Sequence, residues 1–245
     1  MHTLYYHETK LTEKENITLK DSDEIHHLKN VLRLKKGNKV TVFDGLGTEA
    51  LGEIKHIKEN EVIIFIKNVK ELECTANKII LACAIPKKNK FELIVEKCTE
   101  LGVSEIIPII TKNSDVILSG ERANKKLTRY KNIAISASKQ SKRATIPTIH
   151  PICSFKDALS KLSKETTALI PSLEEKSNNI LKILEKTKDI GKISLFIGPE
   201  GDFTKEEYSL ASKSGCIPVS LGKNILRVET AAICTVSCAS LYHQI

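Results

Sequence analysis

From Lys78 onward the chain alternates short, continuous apolar runs with helix-patterned stretches, and this alternation limits the fold more than any other feature. The run Ile79 to Ile85 has no charged or amide side chain, the pattern of a strand buried on both faces of a parallel sheet. Phe91, Leu93, Ile94, Cys98 and Leu101 then recur at helical spacing, and Gly102 marks a C-terminal stop. A strand over 105–110, a helix from about Arg122 to Ser141, and strands over 167–170, 193–197 and 217–220 continue the rhythm. Strands alternating with helices predict an α/β domain with a mainly parallel sheet.

The first third reads differently. Runs at Lys39 to Phe43 and Glu61 to Ile66 are separated by turn signals, Gly37-Asn38 and Asp44-Gly45 among them. One helix, about Ser22 to Val31, opens on a capping residue and carries Ile25, Leu28 and Leu32 at helical spacing. A small barrel with one helix fits residues 1–72, and the α/β domain then occupies 73–245.

Charge separates the same two parts. Residues 1–72 hold 12 Lys/Arg and 12 Asp/Glu, whereas 86–145 hold 13 basic and 6 acidic side chains. A concentrated positive excess attracts polyanions. Even the neutral part has a basic stretch, with Lys29, Arg33, Lys35, Lys36 and Lys39 and no acid between Ile25 and Phe43. Charge alone fits a solvated surface equally well. The seven cysteines, an odd set without a C-x-x-C pair, suggest neither a disulfide framework nor a zinc site. With no signal-like leader and no apolar run of membrane-spanning length, a cytoplasmic protein is expected.

The segment Leu195 to Thr204 carries the most chemistry: an apolar strand runs into Gly198-Pro199-Glu200-Gly201, followed by a helix whose Thr204 and Glu207 are spaced as a capping box. Ligands of open α/β sheets bind beyond the carboxyl ends of strands, and Gly198 and Gly201 lack the Cβ atoms that would keep backbone from a flat ligand. Taken alone, an ordinary tight turn explains the same residues. Neither a Gly-x-Gly-x-x-Gly fingerprint nor a P-loop occurs. A second loop, from Val219 through Gly222 to Arg227, leads into a helix rich in small residues. By spacing alone, Arg227 and Glu229 read as an ion pair on that helix.

Together, Phe196 to Phe203 and Val219 to Ala232 resemble the cofactor loops of the 16S rRNA (uracil-N3)-methyltransferase family of the SPOUT superfamily. Lys90 to Val103 resembles that family's first C-domain helix, Ser138 to Pro147 its Gln-Ser-x-Arg segment, and His27 to Gly37 its barrel motif. These matches run in chain order from about residue 4 to 241. Asp202 departs from the pattern, standing where the family usually has a second glycine.

The resemblance implies a PUA-like RNA-binding barrel followed by a trefoil-knotted methyltransferase domain. It also implies S-adenosyl-L-methionine (AdoMet) bound among loops near Leu169 to Leu173, Gly198 to Gly201 and Leu221 to Arg227. Leu169, Pro171, Gly198, Pro199, Glu200, Gly201, Leu221, Gly222, Ile225 and Leu226 are the expected cofactor residues. The implied reaction methylates N3 of a uridine in 16S rRNA, within the small ribosomal subunit, and the implied enzyme is a homodimer, with no metal and no membrane. Arg227 is the candidate for stabilising the uracil anion, and Glu229 or Glu200 for orientation or proton removal. Arg33, Lys35, Lys36, Lys139, Gln140, Lys142 and Arg143 are the expected RNA contacts. Two rivals stay open: a non-catalytic ribosome-assembly factor, and a SPOUT enzyme acting on a ribose hydroxyl or a tRNA base.

Overall fold

A computed structural model describes residues 2–5, 10–71, 78–115, 120–163, 165–172, 177–186 and 191–243. The chain divides into two compact units, one made of Met1–Cys74 with Ser138–Ile146, the other of Thr75–Ala137 with Pro147–Ile245. The boundary expected near residue 72 lies outside the described residues. The later segment 138–146, which the alternation placed with the second domain, joins the first unit.

In the first unit, β1 (His2–Tyr5), β2 (Asn16–Leu19), β3 (Lys39–Phe43), β4 (Thr48–Ile57) and β5 (Val62–Glu71) form one sheet in the order β1-β3-β4-β5-β2. All pairings are antiparallel except β1 with β3. Alternate residues of β4 and β5 are buried, so Ile54, Ile64 and Ile66 share a core with Leu28, Val40 and Val42. The helix predicted over 22–31 divides in two. Ser22–His26 is α-helical (α1), started by Asp21, whose side chain accepts from the Glu24 amide. His27–Val31 then widens to a π-helical turn and ends at Arg33, at φ 52°.

The segment after Gln140 closes on the β3–β4 turn. Asp44 is buried, and its Oδ1 accepts from the Leu46 and Thr48 amides at 2.8 and 3.0 Å. Gly47 donates to the Ala144 carbonyl and Ile146 to that of Gly45, while Thr145 bridges to Gly45 and Leu46.

The second unit holds β6 (Lys78–Ala84), α2 (Lys90–Glu100), β7 (Glu105–Ile110), most of α3 (Gly120–Gln140), β8 (Thr148–Ile149), β9 (Cys153–Ser154) and α4 (Phe155–Ser160). It continues through β10 (Thr166–Pro171), β11 (Asn178–Asn179), α5 (Ile180–Glu185), β12 (Lys192–Ile197), α6 (Lys205–Lys213), β13 (Ile217–Ser220) and α7 (Val228–His243). The sheet order is β11-β13-β10-β12-β6-β7-β8, with β9 also on β7, and every pairing is parallel. Leu81, Ala82, Cys83 and Ala84 are buried, as the apolar run predicts for an interior parallel strand. Because β13, β10 and β12 are parallel neighbours, the chain leaves all three at one edge. That edge carries the candidate site.

Candidate functional site

At this edge a cavity of about 830 Å³ opens among the segments that follow β10, β12 and β13, a size suited to a small organic ligand. Ile197, Leu221, Leu226, Val228 and Ala231 supply its apolar wall. Charged side chains on it are Lys90, Glu200, Asp202, Lys223 and Arg227.

Of the ten residues expected to hold a cofactor, Pro171, Gly198, Pro199, Glu200, Leu221, Gly222, Ile225 and Leu226 line this cavity. Leu169 is fully buried inside β10 and Gly201 faces Asn113, so neither is on the wall. Leu173, the end of the first expected loop, lies outside the described residues. Ile225 is 80% exposed, an apolar side chain standing in solvent at the cavity mouth.

The loop after β12 is held from several sides. Thr204 and Glu207 form the capping box of α6, and Glu207 also accepts from the Lys112 amide at 2.9 Å. The Glu200 carboxylate accepts from the Lys87 amide at 3.0 Å, which ties this loop to the one leaving β6. Asp202 sits at φ 60°, a conformation glycine takes freely and Asp tolerates better than most residues. Its Oδ1 accepts from its neighbour, the Phe203 amide, and from the Tyr208 hydroxyl, both at 2.8 Å; that hydroxyl is also 3.2 Å from the Pro171 carbonyl. The carboxylate that replaces the family's glycine thus fastens its loop to α6.

The glycines serve packing and backbone shape more than ligand approach. A Cβ on Gly198 would lie 3.1 Å from the Phe203 ring, and that ring packs against Phe155 and Tyr208. Gly222, at φ +121°, has nothing within 4 Å of such a Cβ, so its requirement is conformational.

Arg227 lines the cavity and is exposed just ahead of α7. The ion pair read from spacing does not form: Glu229 pairs with Lys90, Oε1 to Nζ, at 3.1 Å. Burial pushes the Glu229 carboxyl up, but its backbone amide, Lys90 and Arg227 together outweigh that and hold it below the usual glutamate value. Lys90, Asn113 and Tyr208 carried no separate signal in the sequence, because each gains its meaning from a partner distant along the chain.

In the first unit, Arg33, Lys35 and Lys36 are exposed, as are Gln140 and Lys142. Lys139 is spent on an ion pair with the buried Glu24 carboxylate. Arg143 is partly buried, with its guanidinium 3.3 Å from the Thr145 hydroxyl, and burial pulls its pKa down. Among the described residues no group of three or more His, Cys, Asp or Glu stands close enough to hold a metal, and no helix is long and apolar enough to cross a membrane.

Residues 73–240 match the family described as RNA methyltransferase domain, and residues 19–67 the one described as RNA methyltransferase PUA domain. A Rickettsia conorii protein called ribosomal RNA small subunit methyltransferase E is 32% identical over 95% of this chain and 92% of its own length. Its Mesomycoplasma hyopneumoniae namesake is 34% identical over 90% and 92%. Among solved structures, ribosomal RNA small subunit methyltransferase E of Neisseria gonorrhoeae, bound to S-adenosyl methionine, superposes with a TM-score of 0.87. It is 32% identical, over 97% of this chain and 95% of that one. A Legionella pneumophila methyltransferase with bound SAM gives a TM-score of 0.87 at 31% identity, over 98% and 96%.

Proposed function

The chain belongs to the ribosomal RNA small subunit methyltransferase E family, a SPOUT methyltransferase domain joined to a PUA domain, and on that premise we propose that it methylates N3 of a uridine in 16S rRNA with AdoMet as donor. The observation that carries this reading is the single cavity wall on which the loops after three adjacent parallel strands place apolar surface beside Arg227. That wall suits AdoMet: Ile197, Leu221 and Leu226 offer apolar surface for a heterocycle, and the surrounding loops supply backbone polar groups for its edge and for the amino-acid end. Bound there, AdoMet supplies a methyl group already made electrophilic by its sulfonium. The protein's own task is to orient the base and to favour its deprotonated form, whose charge spreads over N3 and both carbonyl oxygens. Arg227 on the wall offers a fixed cation to that charge. Glu200, tied to the Lys87 amide, shapes the loop.

The rest of the reading extends the same premise. A barrel over 1–72 binds RNA, a knotted domain over 73–245 carries the catalysis, and exposed Arg33, Lys35, Lys36 and Lys142 contact phosphates. Two copies pair through the C-terminal domain, consistent with α7 having apolar residues around much of its girth and Leu241 63% exposed. The substrate is 16S rRNA in the context of the small subunit, in the cytoplasm.

Incubating the purified protein with AdoMet and either 16S rRNA or small subunits, then digesting to nucleosides for mass spectrometry, tests the proposal. N3-methyluridine is expected. No methylated nucleoside would favour the assembly factor, and a 2′-O-methylated one the other SPOUT chemistry.

A further inference from the structure

We infer that Lys90 is a second catalytic cation, acting beside Arg227 on the uracil anion and held in place by Glu229 as a positioning residue; this rests on the reading of the cavity as a uracil-N3 methylation site. Lys90 is the first residue of α2, and Glu229 lies in the first turn of α7. The lysine therefore stands at the end of a helix where the backbone dipole opposes a cation, while the glutamate stands where the dipole welcomes an anion. A charge placed against its local preference needs compensation, and the 3.1 Å pair with Glu229 provides it. Such local conflicts concentrate at functional positions. One of the three ammonium donors is used by Glu229, and the Lys90 side chain lines the same cavity as Arg227.

The glutamate is suited to holding rather than to taking a proton. Its Oε2 is buried without a hydrogen-bond partner, and the carboxyl is held below the ordinary glutamate value, with Lys90 and Arg227 both contributing. A carboxylate this weakly basic removes a proton poorly from uracil N3, a much weaker acid. It instead holds Lys90 directly, and Arg227 acts on it only through its charge. The uracil anion carries its charge on O2 and O4, which flank N3, so two cations leave the N3 lone pair open toward the methyl group. In the balanced step the N3 proton passes to solvent water and the N3 pair forms the bond to the methyl carbon. The carbon–sulfur bond breaks with its pair staying on sulfur, so the neutral thioether and N3-methyluridine remain.

The test is single-turnover methylation at saturating AdoMet and RNA, with the target as uridine or as 5-fluorouridine, whose N3–H is more acidic. For Lys90→Met a loss of about 10²-fold is expected with uridine, comparable to removing one fixed donor to a developing anion. The loss should shrink clearly with 5-fluorouridine, and AdoMet affinity by calorimetry should stay within a few-fold of wild type. Lys90→Arg should retain more activity than Lys90→Met. Because Lys90→Met leaves Glu229 unpaired, Lys90→Met/Glu229→Gln serves as the control: the rate should remain low. Recovery in the double variant, a wild-type rate for Lys90→Met, or an equal loss with both bases would overturn the inference. If the wild-type protein forms no N3-methyluridine, the functional reading fails first and takes this inference with it.

Discussion

Asn113 and Gly201 are fitted to each other twice: the Asn113 amide donates to the Gly201 carbonyl at 3.0 Å, and a Cβ on Gly201 would crowd Asn113 Cβ at 3.2 Å. The same amide donates to the Asp202 carbonyl at 3.0 Å, so one side chain from the loop after β7 shapes the turn that borders the cavity. Asn113→Ala removes both bonds, each contributing about 0.5–1.5 kcal/mol. AdoMet affinity should fall about tenfold, with a small change in melting temperature. Calorimetric affinity within twofold of wild type would show that the loop keeps its shape without the clamp.

The two cavity glycines should respond differently to alanine. Gly198→Ala drives a methyl group against the buried Phe203 ring, overpacking that costs about 1–3 kcal/mol, so urea denaturation should show lost stability along with lost binding. Gly222→Ala meets no neighbour but puts a Cβ on a backbone at φ +121°. The strain, about 1–3 kcal/mol, is relieved by moving an exposed loop, so AdoMet binding should weaken while the unfolding midpoint barely shifts. Identical behaviour of the two would contradict this division.

Arg227→Ala should slow single-turnover methylation by roughly 10²–10³ with a smaller effect on RNA affinity. The structure gives Glu229 to Lys90 instead, so truncating Arg227 leaves that pair intact. A near-wild-type rate would remove Arg227 from the chemistry while leaving the family assignment untouched.

The lysines flanking Gln140 and Ser141 should separate cleanly. Lys139→Met leaves the Glu24 carboxylate buried without its cation, a loss of about 3–5 kcal/mol, readable as a lower unfolding midpoint. Lys142→Met, at an exposed position, should leave stability unchanged, weaken RNA binding and reduce the log–log salt slope by about one. Equal salt slopes for Lys142→Met and wild type would exclude a phosphate contact there.

On the barrel, Lys55 and Lys67 hydrogen-bond or pair with Glu53 and pull its pKa down to about 2. A carboxyl depressed on folding stabilises the native state fully above its unfolded value near 4.5, and loses that contribution as pH falls toward 2. Glu53→Gln should therefore be less stable than wild type at pH 6, with the gap closing between about pH 4.5 and 2. The gap should be modest, since the group is solvent-facing, and should shrink in high salt. A gap that persists unchanged at pH 2 would place its origin elsewhere.

What could be read from the sequence was local. The run at 79–85 yielded an interior strand because continuous apolarity has one common solution in an α/β sheet, and the Thr204–Glu207 capping box depends only on residues three apart. The π-helical turn over 27–31 was not visible, since apolar spacing reports which face is buried and not how the backbone hydrogen bonds are wound. The ion pair assigned to Arg227 and Glu229 failed for a related reason: closeness along the chain suggested it, but residues two apart do not face each other on a helix, and Lys90, 139 positions earlier, was brought to Glu229 by packing of α2 on α7. Asp202 read as a departure from a glycine pattern, and only the Tyr208 hydroxyl gave its carboxylate a purpose.

The barrel cannot be finished in the order in which it is made. Thr145 pairs with Gly45 and Leu46, and the Gly47 amide and the Gly45 carbonyl wait for Ala144 and Ile146, which leave the ribosome roughly a hundred residues later. While β6, α2, β7 and most of α3 emerge, the β3–β4 turn stays open and Glu24 lacks Lys139. Translation at about 5–20 residues per second makes that interval some seconds long. A nascent chain stalled before residue 146 therefore carries an incomplete barrel, and the first unit to begin synthesis closes only after much of the second has already appeared.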